Sequence, residues 1–248
     1  IFSTSPAIAA GVFTTNCFKA APVLLDLERI RSGEAQAVIA NSGVANAATG
    51  AEGFADALAV SRTASGELGI PDEMVLVAST GVIGHCLPLR KIQEGVKGLV
   101  AGLHDDGIPA AEAGIMTTDR FPKIACRNGV VGSKEVTLCG IAKGAGMIEP
   151  HMATMLAFIM TDADIEHDAL DRVFRQSVDH SFNAVTVDGC MSTNDTAIIL
   201  ANGFARNPRI KKGSRHLGRF AELLSSLMSE LARELVRDGE GATKVIEI

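Results

Sequence analysis

The sequence predicts a layered α/β fold of α+β type, with mixed sheets flanked by helices. Three features carry that prediction: continuous apolar runs of strand length, stretches of helical hydrophobic period between them, and glycine turns where the runs end. With 248 residues, 47% of them hydrophobic, the chain makes one large domain or two small ones. A chain of that size buries roughly 70% of its unfolded surface and needs no metal or disulfide staple.

Segments 35–40 (AQAVIA) and 74–78 (MVLVA) are apolar throughout, as in strands covered on both faces. Between them, residues 52–68 carry Phe54, Leu58 and Ala59 at helical spacing. Pro88 opens a further helix through Leu103, because the first turn tolerates a missing N–H. Residues 123–131 and 134–142 contain IACRNGVV and EVTLCGIA, and Asn128-Gly129 predicts a tight hairpin turn there, since both residues accept positive φ. Strands follow at 155–160 (MLAFIM) and 196–200 (TAIIL). Helix 165–178 places Leu170, Val173, Phe174 and Val178 on one face. Phe220, Leu223, Leu224, Leu227, Leu231 and Leu235 mark a long amphipathic helix. Residues 207–219 read as a solvated basic loop. No internal repeat occurs.

The composition removes several function classes. Lys and Arg number 23 against 29 Asp and Glu, and the net charge of −6 argues against nucleic-acid binding through counterion release. The only aromatics are ten Phe, too few for a base-stacking platform. No apolar run reaches the ~20 residues of a membrane span. Cys17, Cys86, Cys126, Cys139 and Cys190 are odd in number and form no CxxC, so they read as reduced, buried thiols of a cytosol-like compartment. The histidines form no HExxH and pair with no Cys, so no metal is expected. Ile1 reads as a trimmed end, with neither a signal peptide nor an initiator Met before it.

Three glycine-containing turns follow strand-like runs: 40–47 (ANSGVANA), 78–84 (ASTGVIG) and 143–150 (KGAGMIEP). None fits GxxxxGK[ST] or GxGxxG, and each taken singly reads as a structural turn. Such turns nevertheless leave backbone N–H groups unpaired, as an oxyanion hole requires, and Thr80 beside Gly81 adds a hydroxyl. Thr154 opens an apolar strand, an ordinary place for a β-branched residue. If the Ala153–Thr154 bond breaks, Thr154 gains an α-amine of pKa about 8 that can act as general base for its own hydroxyl. Residues 187–195 (VDGCMSTND) are dense in side chains that bond local backbone, and read as a turn. In 238–244 (DGEGATK), Glu240 stands between two glycines, where it either receives a substrate ammonium or faces water.

Taken together, these segments have one close counterpart. KGAGMIEPHMATML at 143–156 closely resembles the self-cleavage segment of the ornithine acetyltransferase family, the glutamate N-acetyltransferases of arginine biosynthesis. AAGVFTTN at 9–16, NSGVANAATG at 41–50, STGVIG at 79–84, MTTDRFPK at 116–123 and DGEGATK at 238–244 resemble the same family, in order, along nearly the whole chain.

The resemblance implies a layered α/β protein that cuts itself between Ala153 and Thr154. Residues 1–153 then form the α-chain region and 154–248 the β-chain region; the two stay associated, as a heterotetramer. It implies that Thr154 takes acetyl from N-acetylornithine and passes it to glutamate by a ping-pong route. Some members accept acetyl-CoA as donor; no bound cofactor is implied. By position Thr80 and Gly81 match the oxyanion-hole pair. Thr117 or Thr118, Lys143 and Glu240 match substrate-binding positions, with Glu240 toward an ammonium and Lys143 toward a carboxylate or the developing charge. The implied location is the cytoplasm, or the mitochondrial matrix in a eukaryote.

The sequence departs from the family at Val44, where Asn is usual, at Ala48, where Cys is common, and at Cys190-Met191, where an Asp and a small polar residue are expected. Helper hydrogen bonds near the nucleophile are therefore expected to differ. Family members continue for roughly another 150 residues, a tail of domain size that supplies an Asn and a Thr to the substrate site. This chain is accordingly expected to be a fragment, or a variant with an incomplete pocket. Two rival readings use the same residues: an N-terminal-Thr amidohydrolase or aminopeptidase that releases the acyl group to water, and an uncleaved, inactive fragment that only binds or assembles.

Overall fold

The apolar runs become strands of one mixed sheet in a computed structural model that describes residues 1–149 and 155–248. The strands are β1 (Phe2–Phe13), β2 (Glu34–Asn41), β3 (Val75–Ser79), β4 (Ile124–Val131), β5 (Lys134–Lys143), β6 (Leu156–Thr161) and β7 (Thr196–Ala201). Their order is β3-β2-β1-β7-β6-β5-β4. The β2–β3 and β6–β7 pairs are parallel and the others antiparallel. The helices are α1 (Ala21–Arg29), α2 (Gly50–Leu68), α3 (Leu89–Ala101), α4 (Ile108–Ile115), α5 (His167–Asp179) and α6 (Leu217–Arg237). The α/β class with helices flanking a mixed sheet is the one predicted.

Strand period explains why the runs are apolar throughout. Ala157, Ile159, Ala197 and Ile199 point to a cluster with Phe174 of α5 and Leu224, Leu227 and Leu231 of α6. Their neighbours Leu156, Phe158, Ile198 and Leu200 point to the opposite cluster, which also contains Val38 of β2 and Leu76 and Ala78 of β3. The sheet therefore folds over along β1, where the β1–β2 register shifts between Phe2 and Ala7. Its β2–β3 wing covers the inner face of β5, β6 and β7. Helices α1, α2 and α3 back one wing, α5 and α6 the other. Each fully buried Leu, Ile or Phe contributes about 1.5–3 kcal/mol.

Three sequence expectations are corrected. Asn128-Gly129 is not the hairpin turn: it lies within β4, opposite Thr137 and Val136, and the chain reverses at Gly132-Ser133. Gly129 serves packing instead, since a Cβ there would stand 2.6 Å from Leu223 Cδ1 of α6. The cysteines are not all reduced and buried. The β4–β5 register sets Cys126 directly opposite Cys139, and the two form a disulfide; Cys17, Cys86 and Cys190 are exposed. Finally, the basic loop begins as structure: Asn207 is buried and accepts the Asp164 N–H at 2.8 Å, and Ile210 is fully buried against Ile165.

Candidate active site

Functional side chains collect where β3 and β5 end and where β6 and β7 begin. Lys143, the last residue of β5, is 2% exposed, and its Nζ donates to Thr80 Oγ1 and to Thr117 Oγ1, each at 3.0 Å. Three of the predicted residues thus meet around one ammonium. Both candidate threonines are exposed, and it is Thr117 whose hydroxyl receives Lys143. Burial lowers the Lys143 ammonium from its ordinary range, against the pull of the Asp119 carboxylate.

Gly81 follows Thr80 with φ +130°, a backbone conformation that L side chains rarely adopt. A Cβ there would fall 2.2 Å from the carbonyl carbon of Gly43, so only glycine lets the 41–45 turn close against the end of β3. That turn accepts the Thr80 N–H on Asn41 O (3.0 Å) and the Val82 N–H on Gly43 O (3.1 Å). Among the described residues the Gly81 N–H between them has no backbone acceptor.

Glu240 comes from the turn after α6. Its N–H donates to Ala145 O at 2.7 Å, and its exposed carboxylate lies over Gly146, where a Cβ would meet Glu240 Cδ at 2.8 Å. Ala153 and Thr154, the predicted scissile pair, lie outside the described residues. Met155 is described: it is buried, and its N–H donates to Asp195 Oδ1 at 3.0 Å.

Beneath these residues runs a charged network that motif reading missed. Lys123 Nζ bridges Asp119 Oδ1 and Asp238 Oδ2, both at 2.7 Å, with all three side chains fully buried. Asp119 also accepts the N–H of Thr117 (3.0 Å) and of Gly144 (2.6 Å), and Asp238 the N–H and Nε of Arg120. Burial pushes both carboxyls up, but the Lys123 ammonium and these N–H donors outweigh it and hold them below the usual range. The network ties together the three loops that carry Thr117, Lys143 and Glu240. The four-residue spacing of Asp119 and Lys123 inside MTTDRFPK was the one signal available.

Segment 187–195 is likewise more than a local turn. Asp188 accepts the N–H of Met147 and Ile148, and the Asn194 amide donates to Ala45 O (2.6 Å) and Ser79 O (2.8 Å). A separate cavity of about 1140 Å³ lies between the wings of the sheet beside α3 and α4, and contains none of the predicted site residues.

Glu112 on α4 is fully buried; Oε1 accepts the Lys123 N–H at 3.1 Å, while Oε2 has no partner among the described residues. Burial pushes its carboxyl up to about 7 from 4.5, against the Lys123 N–H and charge. The native state therefore holds a proton that the unfolded chain releases between those values. Stability from this group is complete below about pH 4.5 and declines as pH rises through about 7, by about 3 kcal/mol at most. Glu112→Gln keeps the acceptor without the charge. Urea titrations at pH 5 and pH 8 should find the variant more stable than the parent at pH 8, with a smaller difference at pH 5.

A family model described as the ArgJ family matches residues 1–248. The chain is 54% identical over 248 residues to the arginine biosynthesis bifunctional protein ArgJ of Geobacter sulfurreducens, covering all of this chain and 63% of that protein. It spans less than two thirds of the curated relatives it matches. Among solved structures it is similar to the ArgJ protein of Bacillus halodurans, at 38% identity and TM-score 0.57. It is also similar to an ornithine acetyltransferase of Mycobacterium tuberculosis complexed with ornithine, at 36% identity and TM-score 0.53. Each of these two matches covers 62% of this chain and 80% of the other. Among the described residues no helix is long and apolar enough to cross a membrane.

Proposed function

Because this chain belongs to the ArgJ family, we propose that it moves an acetyl group from N-acetylornithine to glutamate through an acetyl ester on Thr154. Thr154 becomes an N-terminus when the chain cuts its own Ala153–Thr154 bond. The observation that carries the reading is the Lys143 ammonium held between Thr80 and Thr117, next in sequence to a Gly81 N–H that has no backbone acceptor among the described residues.

The chemistry follows from those contacts. The liberated Thr154 amine takes the proton of its own hydroxyl, and the oxygen attacks the acetyl carbonyl of N-acetylornithine. Negative charge develops on the carbonyl oxygen. Thr80 Oγ1 already accepts from Lys143, so its own O–H remains available as a donor, and the Gly81 N–H supplies the second. Collapse expels ornithine, whose nitrogen takes the proton, and leaves acetyl-Thr154. The glutamate amine then attacks the ester, and the hydroxyl is restored. Lys143, buried and engaged by two hydroxyls, suits the developing charge better than a solvent-side carboxylate. Exposed Glu240 suits the ammonium of the ornithine side chain. The route requires no resident cofactor, and acetyl-CoA would enter as an alternative donor.

Sheet order supports the expectation that the α-chain region, 1–153, and the β-chain region, 154–248, stay joined after cleavage. Strands β6 and β7 of the second region pair with β5 and β1 of the first, so two ladders cross the cut. Assembly as a heterotetramer and a cytoplasmic location belong to the same proposal.

Mass spectrometry with N-terminal sequencing, followed by an acetyl-transfer assay, tests it. The expected result is a polypeptide beginning at Thr154, and N-acetylglutamate formed only when both N-acetylornithine and glutamate are present. Acetate released independently of glutamate would mark a hydrolase. An intact 25.9 kDa chain with no species beginning at Thr154 would remove the catalytic assignment.

A further inference from the structure

We propose that Asn194 and Asp195 form a positioning pair, a two-residue tie between the strand end that carries the oxyanion-hole residues and Met155, the residue that follows Thr154 in the chain. The inference rests on the reading of Thr154 as nucleophile.

The two side chains reach in different directions from consecutive residues. The Asn194 amide donates to Ser79 O at 2.8 Å, and Ser79 immediately precedes Thr80 and Gly81. The Asp195 carboxyl accepts the Met155 N–H at 3.0 Å, and that N–H belongs to the peptide unit whose carbonyl carbon is Thr154's own. Met155 is gripped a second time by the next residue, since the Thr196 N–H donates to Met155 O at 3.1 Å. Each half of the proposed machinery is thus one residue away from a bond to the same dipeptide.

The dipeptide is itself held rigidly. Asp195 O accepts the Thr14 N–H at 3.0 Å, and the Thr14 hydroxyl donates to Ser192 O at 2.8 Å. Asn194 donates a second bond, to Ala45 O, at 2.6 Å. Both side chains are at most 5% exposed. The second Asp195 oxygen, Oδ2, is buried with no hydrogen-bond partner among the described residues, and the Lys143 charge acts on the carboxyl from a distance. Burial pushes this carboxyl well above the usual range, with the Met155 N–H, the Thr14 and Ser192 hydroxyls and the Lys143 charge pulling the other way. If this carboxyl serves through the acceptor it offers to Met155, it should tolerate replacement by the amide of the same shape, which keeps that acceptor.

The experiment compares Asp195→Ala and Asp195→Asn in the full chain, following self-cleavage by mass spectrometry and transfer by initial rates. A misplacement of about 1 Å costs on the order of 100-fold. Asp195→Ala should therefore slow cleavage and lower kcat by at least about tenfold, with KM for N-acetylornithine within about twofold. Asp195→Asn, which keeps the acceptor for Met155, should recover cleavage to within about threefold of the parent. An Asn variant as impaired as the Ala variant would overturn the proposal, because the carboxyl would then act by transferring a proton. Parent-like cleavage in Asp195→Ala would overturn it as well. If Asp195→Ala does not fold, the Asn variant alone decides between those limits.

A readout independent of activity separates this proposal from the function it rests on. In an uncleavable Thr154→Ala background, hydrogen exchange at the Met155 amide should speed up at least about tenfold with Asp195→Ala and little with Asp195→Asn. Unchanged exchange in the Ala variant would refute the grip on Met155. A parent chain that neither cleaves nor transfers would refute the function while leaving this measurement valid.

Discussion

Thr154→Ala is expected to leave one uncut chain of 25.9 kDa and to lower acetyl transfer by on the order of 10³-fold or more, because the same hydroxyl starts both reactions. In cleavage that oxygen attacks the Ala153 carbonyl, and the acyl group passes from nitrogen to oxygen before water releases it. In transfer it attacks the acetyl carbonyl. Among the described residues of the cluster no hydroxyl is an obvious substitute: Thr80 and Thr117 each commit an oxygen lone pair to the Lys143 ammonium, and as internal residues neither has an α-amine of its own to take its proton. Gel analysis and an N-acetylglutamate assay check the two halves separately. Cleavage that survived in this variant would contradict the shared role of the hydroxyl.

Lys123→Met is expected to destabilise the fold by about 3–5 kcal/mol, or roughly 6–20 °C in Tm. The substitution keeps the volume of the chain but removes the cation from between Asp119 and Asp238, both fully buried. Coulomb attraction and two hydrogen bonds now offset the desolvation of these carboxylates; without them two charges are left in low dielectric, where they repel each other. Arg120 still pairs its cation with Asp238 but from a largely exposed position, whereas Asp119 keeps only the neutral Thr117 and Gly144 N–H donors among the described residues. Adding Asp238→Asn to Lys123→Met should recover part of the loss, since it removes one of the stranded charges. Thermal melts of the parent, the single and the double variant measure both effects. A single variant melting within about 2 °C of the parent would mean that the network contributes little.

Motif order along the chain was enough to identify the family, and hydrophobic period was enough to identify the class. The runs at 35–40, 74–78, 155–160 and 196–200 fall on β2, β3, β6 and β7, and the helical stripes ending at Val178 and Leu235 fall on α5 and α6. These features are legible because period and spacing are properties of the chain itself: an all-apolar strand announces two covered faces whatever covers them. Of the site, Thr80, Thr117, Lys143 and Glu240 were nameable for the same reason, as members of short contiguous motifs.

What the tertiary structure alone decided was which groups are buried and which meet. Gly129 looked like a turn residue because its local neighbour is Asn128, yet its lack of a side chain answers to Leu223, far along the chain on α6. Cys126 and Cys139 were unremarkable by spacing until a strand register set them opposite each other. Asp119, Lys123, Asp238, Asn194 and Asp195 are polar residues in polar stretches, where local sequence predicts exposure. Only the folding-over of the sheet, which removes water from the ends of β3, β5, β6 and β7 together, turns them into an organised interior. Asn194 alone reaches a partner 149 residues away, and burial is a consequence of how layers stack rather than of any residue's immediate neighbours.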